Sequence, residues 1–209
     1  MSRYVDVLLP PRKPIAIIRL DDLSAIMLIS RALLDGGIDR LEFTLTNKDA
    51  TEAIKRVRSE FGTHLVVGVG TVLDANMAQA AIDAGAQFVV TPVLVPEVIT
   101  LCNKYDMPIV CGAFTPTEIF SAWCLGADLV KVFPAGQLGP GYIKDVLAPL
   151  PGLKLVPTGG VNLDTCSAFL AAGAYTVAVG SQLVGQALVQ QQNWAALSDL
   201  ARRYTQACM

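Results

Sequence analysis

Histidine occurs once in these 209 residues, as His64, and no C-x-x-C pair is present. The five cysteines, Cys102, Cys111, Cys124, Cys166 and Cys208, are scattered and odd in number. Metal sites need clustered His, Cys or carboxylate ligands. The sequence therefore argues against a zinc site and fits reduced thiols in a reducing compartment. A serine–histidine hydrolase fails on the same lone histidine. His64 precedes the apolar run Leu65-Val66-Val67 and is expected at the start of a strand, in a structural role. Charge is also sparse: 16% of residues are charged, the net charge is −2, and no long basic run or Arg/Lys-rich helix appears. Nucleic acid and membrane surfaces are accordingly poor partners. Met1 to Pro14 lack the apolar core of a signal peptide, and charges interrupt every hydrophobic stretch before it could span a bilayer. A soluble cytoplasmic protein is the expectation. What the chain does have is apolar material for a core, at 53% of its residues.

Eight short apolar runs recur, with starts roughly 20 to 25 residues apart. They are Ile15 to Arg19, Arg40 to Leu45, Leu65 to Gly70, Phe88 to Pro92, Pro108 to Ala113, Leu129 to Pro134, Lys154 to Gly160, and Thr176 to Ser181. Helical patterns lie between them. Ala25, Leu28, Ile29, Ala32 and Leu33 follow the spacing of an amphipathic helix, as do Ala53, Ile54 and Val57. Gly36-Gly37, Gly62, Gly85, Gly126 and Gly173 stand where helices should stop and turn with positive φ. Thr115-Pro116-Thr117-Glu118 reads as a helix start, with Thr115 as cap, Pro116 first and Glu118 closing a capping box.

Strand and helix alternating eight times predicts an α/β protein whose parallel sheet closes into a (β/α)8 TIM barrel. An open doubly wound sheet would need a glycine pattern after its first strand. Here the first run leads into Arg19-Leu20-Asp21-Asp22, and Leu73 stands where Gly68-x-Gly70 would need a third glycine, so a dinucleotide site is rejected. No linker divides the chain, so residues 1–209 are read as one domain, with a helical tail from about Leu183 to Cys208 closing the barrel.

Strand C-terminal ends face the active site in such a barrel. Arg19, Glu42, Thr71, Pro92, Lys131, Thr158, Gly159, Gly160, Gly180 and Ser181 all fall at or near those ends. Alternation along the second run turns Leu41, Phe43 and Leu45 towards the helices and Glu42 into the barrel. On the sixth, Val130 and Val132 face outward and Lys131 shares the inward set with Phe133. Burying a lysine costs several kcal/mol unless it is paired or neutral, of order 2–7 kcal/mol for a polar group. A desolvated lysine is also a good nucleophile towards a ketone, because burial favours the uncharged amine. A lysine snorkelling at a strand end, or a buried ion pair with Glu42, would use the same residues without chemistry. Arg19 is either a surface residue or a fork for a carboxylate. Gly159-Gly160 and Gly180-Ser181 end the seventh and eighth runs, and Asn162 can cap the helix that follows the first of these pairs. Loops in those two places often bind phosphate through backbone N–H groups, although glycines also serve simply as turns.

Several motifs resemble one family. Leu129 to Ala135 (LVKVFPA), Gly68 to Leu73 (GVGTVL), Thr115 to Glu118 (TPTE), Val156 to Val161 (VPTGGV) and Glu42-Phe43-Thr44 look like the 2-keto-3-deoxy-6-phosphogluconate and 4-hydroxy-2-oxoglutarate aldolases, a family that includes phosphogalactonate aldolases. The similarity runs from about Ile15 to Val184. It implies a class I aldolase, a carbon–carbon lyase, commonly a homotrimer, acting on a phosphorylated keto sugar acid and releasing pyruvate with no metal or organic cofactor. Lys131 matches the Schiff-base lysine and Glu42 the acid/base glutamate. Thr71, Pro92 and Phe133 match residues around the pyruvate moiety, and Gly159, Gly160 and Ser181 match the phosphate site. Many members carry a carboxylate-binding arginine where this chain has Thr46. Arg19 matches an arginine found in other members, so the carboxylate is assigned to it. The implied product pair is pyruvate and glyceraldehyde 3-phosphate, with 4-hydroxy-2-oxoglutarate and the phosphogalactonate as alternative substrates. A barrel isomerase or epimerase with Glu42 as base, and a non-catalytic binder of sugar phosphate or keto acid, are the rival readings.

Overall fold

Alternation along each apolar run decides which side chains fill the barrel and which meet the helices. The computed structural model describes residues 5–209; the first four residues of the amino-terminal stretch lie outside them. The strands are β1 (Ile15–Ile18), β2 (Arg40–Thr44), β3 (Val66–Gly70), β4 (Val89–Val90), β5 (Ile109–Ala113), β6 (Leu129–Val132), β7 (Leu155–Pro157) and β8 (Ala178–Val179). Neighbours pair in parallel in the order β7-β6-β5-β4-β3-β2-β1-β8, and a bridge between Thr158 and Ala178 brings the two edges together. Eight parallel strands in a nearly closed barrel are the fold the alternation predicts.

Two apolar clusters follow from the pleat. Leu41, Phe43, Val67, Val69, Val130 and Val132 point outward into the layer shared with the helices. Ile15, Ile17, Phe88, Val90, Val110, Leu129, Val156 and Ala178 fill the interior. Inward positions without a side chain make room for larger ones: a Cβ on Gly68 would collide with the Phe88 ring.

The helices are α1 (Val5–Leu8), α2 (Ile26–Asp35), α3 (Ala50–Phe61), α4 (Ala75–Asp83), α5 (Pro96–Lys104), α6 (Pro116–Cys124), α7 (Gly139–Leu147), α8 (Leu163–Ala171), α9 (Gln186–Gln190) and α10 (Trp194–Ala207). Thr115 and Glu118 form the expected capping box at α6, and the Asn162 side chain caps α8. On α2 the expected stripe is corrected at Leu28, which is exposed. At about 100° per residue, Ile26, Ile29, Ser30 and Leu33 share the buried arc and Leu28 falls on the opposite flank. The glycine pair ending α2 divides its work. Gly37 takes the left-handed turn at φ 86°, whereas Gly36 keeps φ −83° and lies against α10, where a Cβ would collide with Ala201.

The barrel floor is sealed by α1, an element with no signal in the sequence. Val5 and Leu9 join the interior cluster. Arg40, inward at the start of β2, donates to the Leu8 carbonyl and pairs with Asp39. Tyr175 donates to Asp6 and to the Leu9 carbonyl, and Lys154 pairs with Asp6 at 2.7 Å. The tail from Leu183 is helical in two pieces, α9 and α10, and α10 packs outside the barrel against α2 and α8. His64 lies in a 3-10 turn (Gly62–His64) just before β3 and is exposed.

Candidate active site

β2 and β6 stand on opposite walls of the barrel, four strands apart in its order. Above the floor residue Arg40, β2 turns Glu42 inward, and β6 turns Lys131 inward. Lys131, opposite Gly112 of β5 and Val156 of β7, is 3% exposed, and its Nζ stands 5.1 Å from the centroid of the Phe133 ring. Glu42, between Ile17 of β1 and Gly68 of β3, is 1% exposed. Gly70 makes space for its carboxylate, since a Cβ there would collide with the Glu42 side chain. Gly112 likewise lets the Pro92 backbone lie against β5.

Burial pushes the Glu42 carboxyl above the usual carboxylate range, and the charges of Lys131 and then Arg19 pull it partly back. Among the described residues the ion pairs formed are Arg40–Asp39, Lys154–Asp6 and Arg202–Asp199; none closes between Glu42 and Lys131. The two groups therefore sense each other's charge across the barrel without forming an ion pair. A carboxyl held above the usual carboxylate range by burial is better suited than a solvated one both to take and to return a proton.

A cavity of about 130 Å³ opens on the β7–β8–β1 side. Its walls bring together Arg19, Phe133, Thr158, Gly159, Gly160, Gly180 and Ser181 from four separate stretches of chain. Gln182, Ile17, Val161 and Ala178 also line it. Ile17 and Ala178 follow from strand parity; Gln182 carries no signal in the sequence. Arg19 follows β1 on the inward parity of Ile15 and Ile17 and is exposed. Thr71 and Pro92 lie outside this cavity, at the ends of β3 and β4. Thr71 adopts φ 60°, a left-handed conformation rare for a β-branched residue and commonest at functional sites. Flanking hydrogen bonds hold it there, from Leu45 N–H to the Gly70 carbonyl and from Val72 N–H to the Val90 carbonyl.

Thr46 is exposed, and its hydroxyl lies 2.8 Å from that of Thr44. Beside it is a residue that sequence reasoning misses. The Asn47 side-chain amide donates to the Leu20 and Asp21 carbonyls at 3.0 and 2.9 Å, tying the end of β2 to the loop that follows Arg19. Its carbonyl oxygen accepts the Asp49 N–H, an Asx turn whose only sequence signal is asparagine after a strand.

No helix among the described residues is long and apolar enough to cross a membrane. No group of three or more His, Cys, Asp or Glu among them is placed to hold a metal ion. All five cysteines are free, yet Cys166 and Cys208, 42 positions apart in sequence, meet with sulfurs 3.3 Å apart between α8 and the end of α10.

A lysine and a glutamate facing each other inside a parallel barrel, beside glycine loops suited to an anion, define a (β/α)8 protein equipped to act on a small anionic carbonyl compound. The chain matches the family model described as aldolase, KDPG and KHG aldolase, over residues 5–200, and it belongs to that family. It is 34% identical to the 2-dehydro-3-deoxy-phosphogluconate aldolase of Pseudomonas aeruginosa, over 95% of this chain and 90% of that protein. It is 33% identical to the 2-dehydro-3-deoxy-6-phosphogalactonate aldolase of Escherichia coli, over 79% of this chain and 82% of that one. Among solved structures, KDPG aldolase from Legionella pneumophila, with pyruvate captured at low pH as a covalent carbinolamine intermediate, gives a TM-score of 0.85 at 25% identity. That alignment covers 96% of this chain and 97% of the other.

Proposed function

We propose that this protein is a class I aldolase that cleaves a 2-keto-3-deoxy-6-phospho sugar acid, 2-dehydro-3-deoxy-6-phosphogluconate first, to pyruvate and glyceraldehyde 3-phosphate. The observation that carries the reading is the buried, inward pair Lys131 and Glu42 on opposite barrel walls. The unprotonated Lys131 amine adds to the C2 ketone to give a carbinolamine, which loses water to an imine. Once protonated, the imine is an electron sink. Glu42 takes the C4 hydroxyl proton, directly or through water, and the C3–C4 bonding electrons move into the imine as the aldehyde leaves. The remaining enamine gains a proton at C3, and water releases pyruvate from Lys131. Arg19 and Thr71 hold the carboxylate, Pro92 and Phe133 wall the pyruvate portion, and Thr158, Gly159, Gly160, Gly180 and Ser181 receive the phosphate. The steps use side chains and water alone. The carbinolamine in the Legionella relative supports the covalent route.

The protein is read as a cytoplasmic homotrimer built from one barrel domain per chain. Support for self-association comes from Leu73, Val93 and Phe114, exposed on three consecutive strand-to-helix loops, and from Phe120 on α6. The Escherichia coli phosphogalactonate relative supports one competing substrate, the phosphogalactonate, and 4-hydroxy-2-oxoglutarate is another; the threonine at position 46 leaves the choice among the three acids open. A coupled pyruvate-release assay over the three acids ranks them. Incubation with pyruvate and borohydride should leave a reduced pyruvyl group on Lys131, located by peptide mass spectrometry. Lys131→Met should lose adduct and cleavage while remaining folded. An adduct on Lys13, Lys104 or Lys154 instead would sink the assignment.

A further inference from the structure

The loops after β6 and β7 meet through glycine. Gly136 donates its N–H to the Gly159 carbonyl at 2.7 Å, and Ala135 donates to the Thr158 carbonyl at 2.8 Å. The β6–β7 ladder therefore continues past Val132 and Pro157 into the wall of the cavity. A Cβ on Gly136 would stand 2.9 Å from the Gly160 Cα, and one on Gly160 would stand 2.7 Å from the Gly136 Cα, so backbone would have to move. Gly136 is not in the left-handed region. An alanine would suit its backbone, and what excludes a side chain is Gly160.

A trans peptide carries its C=O and N–H on opposite edges. The Gly159 carbonyl is turned towards Gly136, on the β6 side. The N–H of the same peptide, that of Gly160, consequently faces the β8 side, where the cavity opens towards Gly180 and Ser181. We propose that Gly136 is a positioning residue that aims the Gly160 amide at the anionic end of the substrate. The proposal rests on the aldolase reading above. Gly159 is held on another side by Phe133, whose ring a Cβ on Gly159 would meet at 3.0 Å. The same ring lies 5.1 Å from the Lys131 Nζ. One strand and its loop thus set both the nucleophile and the anion-binding peptide, and so fix the span between the covalent end of the substrate and its phosphate.

The test compares kcat/KM for 2-keto-3-deoxy-6-phosphogluconate and its unphosphorylated analogue in the wild type, Gly136→Ala and Gly152→Ala. Gly152 is a control, since a Cβ there meets nothing within 4 Å. Wild type and Gly152→Ala should prefer the phosphorylated acid. Gly136→Ala should lose about tenfold or more of that preference, as expected for one misaligned hydrogen bond to a charged group. The loss should appear in KM for the phosphorylated acid, with kcat/KM for the analogue within about twofold of wild type. Equal loss on both substrates, or an unchanged preference in the folded variant, overturns the proposal. A wild type that cleaves both acids equally also overturns it and leaves the aldolase chemistry standing. A wild type that cleaves neither and takes no borohydride adduct overturns both. Should Gly136→Ala fail to fold, glycolic acid at position 136 replaces the amide by an ester, which adds no side chain, deletes the N–H that holds Gly159 and weakens the Ala135 carbonyl as acceptor for Leu138 and Gly139. It should show the same selective loss, and an unchanged preference overturns the proposal.

Discussion

Glu42 is held where a carboxylate is poorly solvated, and that placement makes stability depend on pH. Burial raises its folded-state pKa above the ordinary value of 4.5, against the opposing pull of Lys131 and Arg19. The folded protein then holds the proton more tightly than the unfolded chain does. Its contribution to stability is complete below about pH 4.5 and declines as pH rises through the raised pKa. Glu42→Gln, which cannot ionise, should therefore be more stable than the wild type at pH 8 in thermal or denaturant unfolding. The gap should narrow towards pH 4.5, while aldol cleavage is lost. A variant less stable than the wild type at pH 8 would show that ionised Glu42 is stabilised by its neighbours. Arg19 and Thr46 divide a second residue-scale question. Arg19 lines the cavity, whereas Thr46 bonds to Thr44 at the end of β2. Arg19→Ala should weaken keto-acid turnover by about 1.5–3 kcal/mol in kcat/KM, and Thr46→Ala should do much less. Near-normal kinetics for the Arg19 variant would place the carboxylate elsewhere. The inward direction of Glu42 and Lys131 is legible in the sequence because a strand's period of two is local. The clearances at Gly70 and Gly112 are not, because each depends on a neighbouring strand or loop meeting the glycine in space.

Helix ends read well for the same local reason. The capping box at Thr115 and the Asn162 cap are complete within four residues of chain. Buried faces read less well. Apolar spacing alone puts Leu28 in the buried stripe of α2, although helical geometry turns Ser30 into the buried arc and Leu28 out of it. Ser30 Oγ is the one buried side-chain polar atom without a hydrogen-bond partner among the described residues. An unsatisfied buried hydroxyl costs about 1–3 kcal/mol, and its removal with little change in volume recovers part of that. Ser30→Ala should be neutral or stabilising by up to about 1 kcal/mol, and alanine also favours the helix. Loss of more than about 1 kcal/mol in denaturant unfolding would mean that the hydroxyl has a partner in solution. The floor helix α1 is not legible at all. Four residues carry no period, and what makes it an element is docking through Arg40, Lys154 and Tyr175, which lie far along the chain.

At the scale of the whole molecule, the alternation of strand and helix is enough to give the barrel, because parallel neighbours need crossovers and crossovers have one hand. It does not show how unevenly the ring closes. β4 and β8 are two residues long, and β7 meets β8 by a single bridge. The cavity lies beside that weakest seam, where backbone groups not spent on pairing are available to an anion. The opposite side of the rim, after β3, β4 and β5, carries Leu73, Val93 and Phe114 instead, with exposures of 51%, 55% and 40%. Together with Phe120 at 49%, these large apolar side chains exceed what scattered surface residues require and suit contact with another copy of the chain. Sedimentation equilibrium of the wild type should return three times the 22.2 kDa chain mass. Paired changes Val93→Glu and Phe120→Glu place like charges on that face and should shift the mass towards one chain, with the borohydride adduct on Lys131 still forming. A wild type that sediments as a single 22.2 kDa chain at micromolar concentration, or a double variant that remains three chains, would remove this face from the assembly.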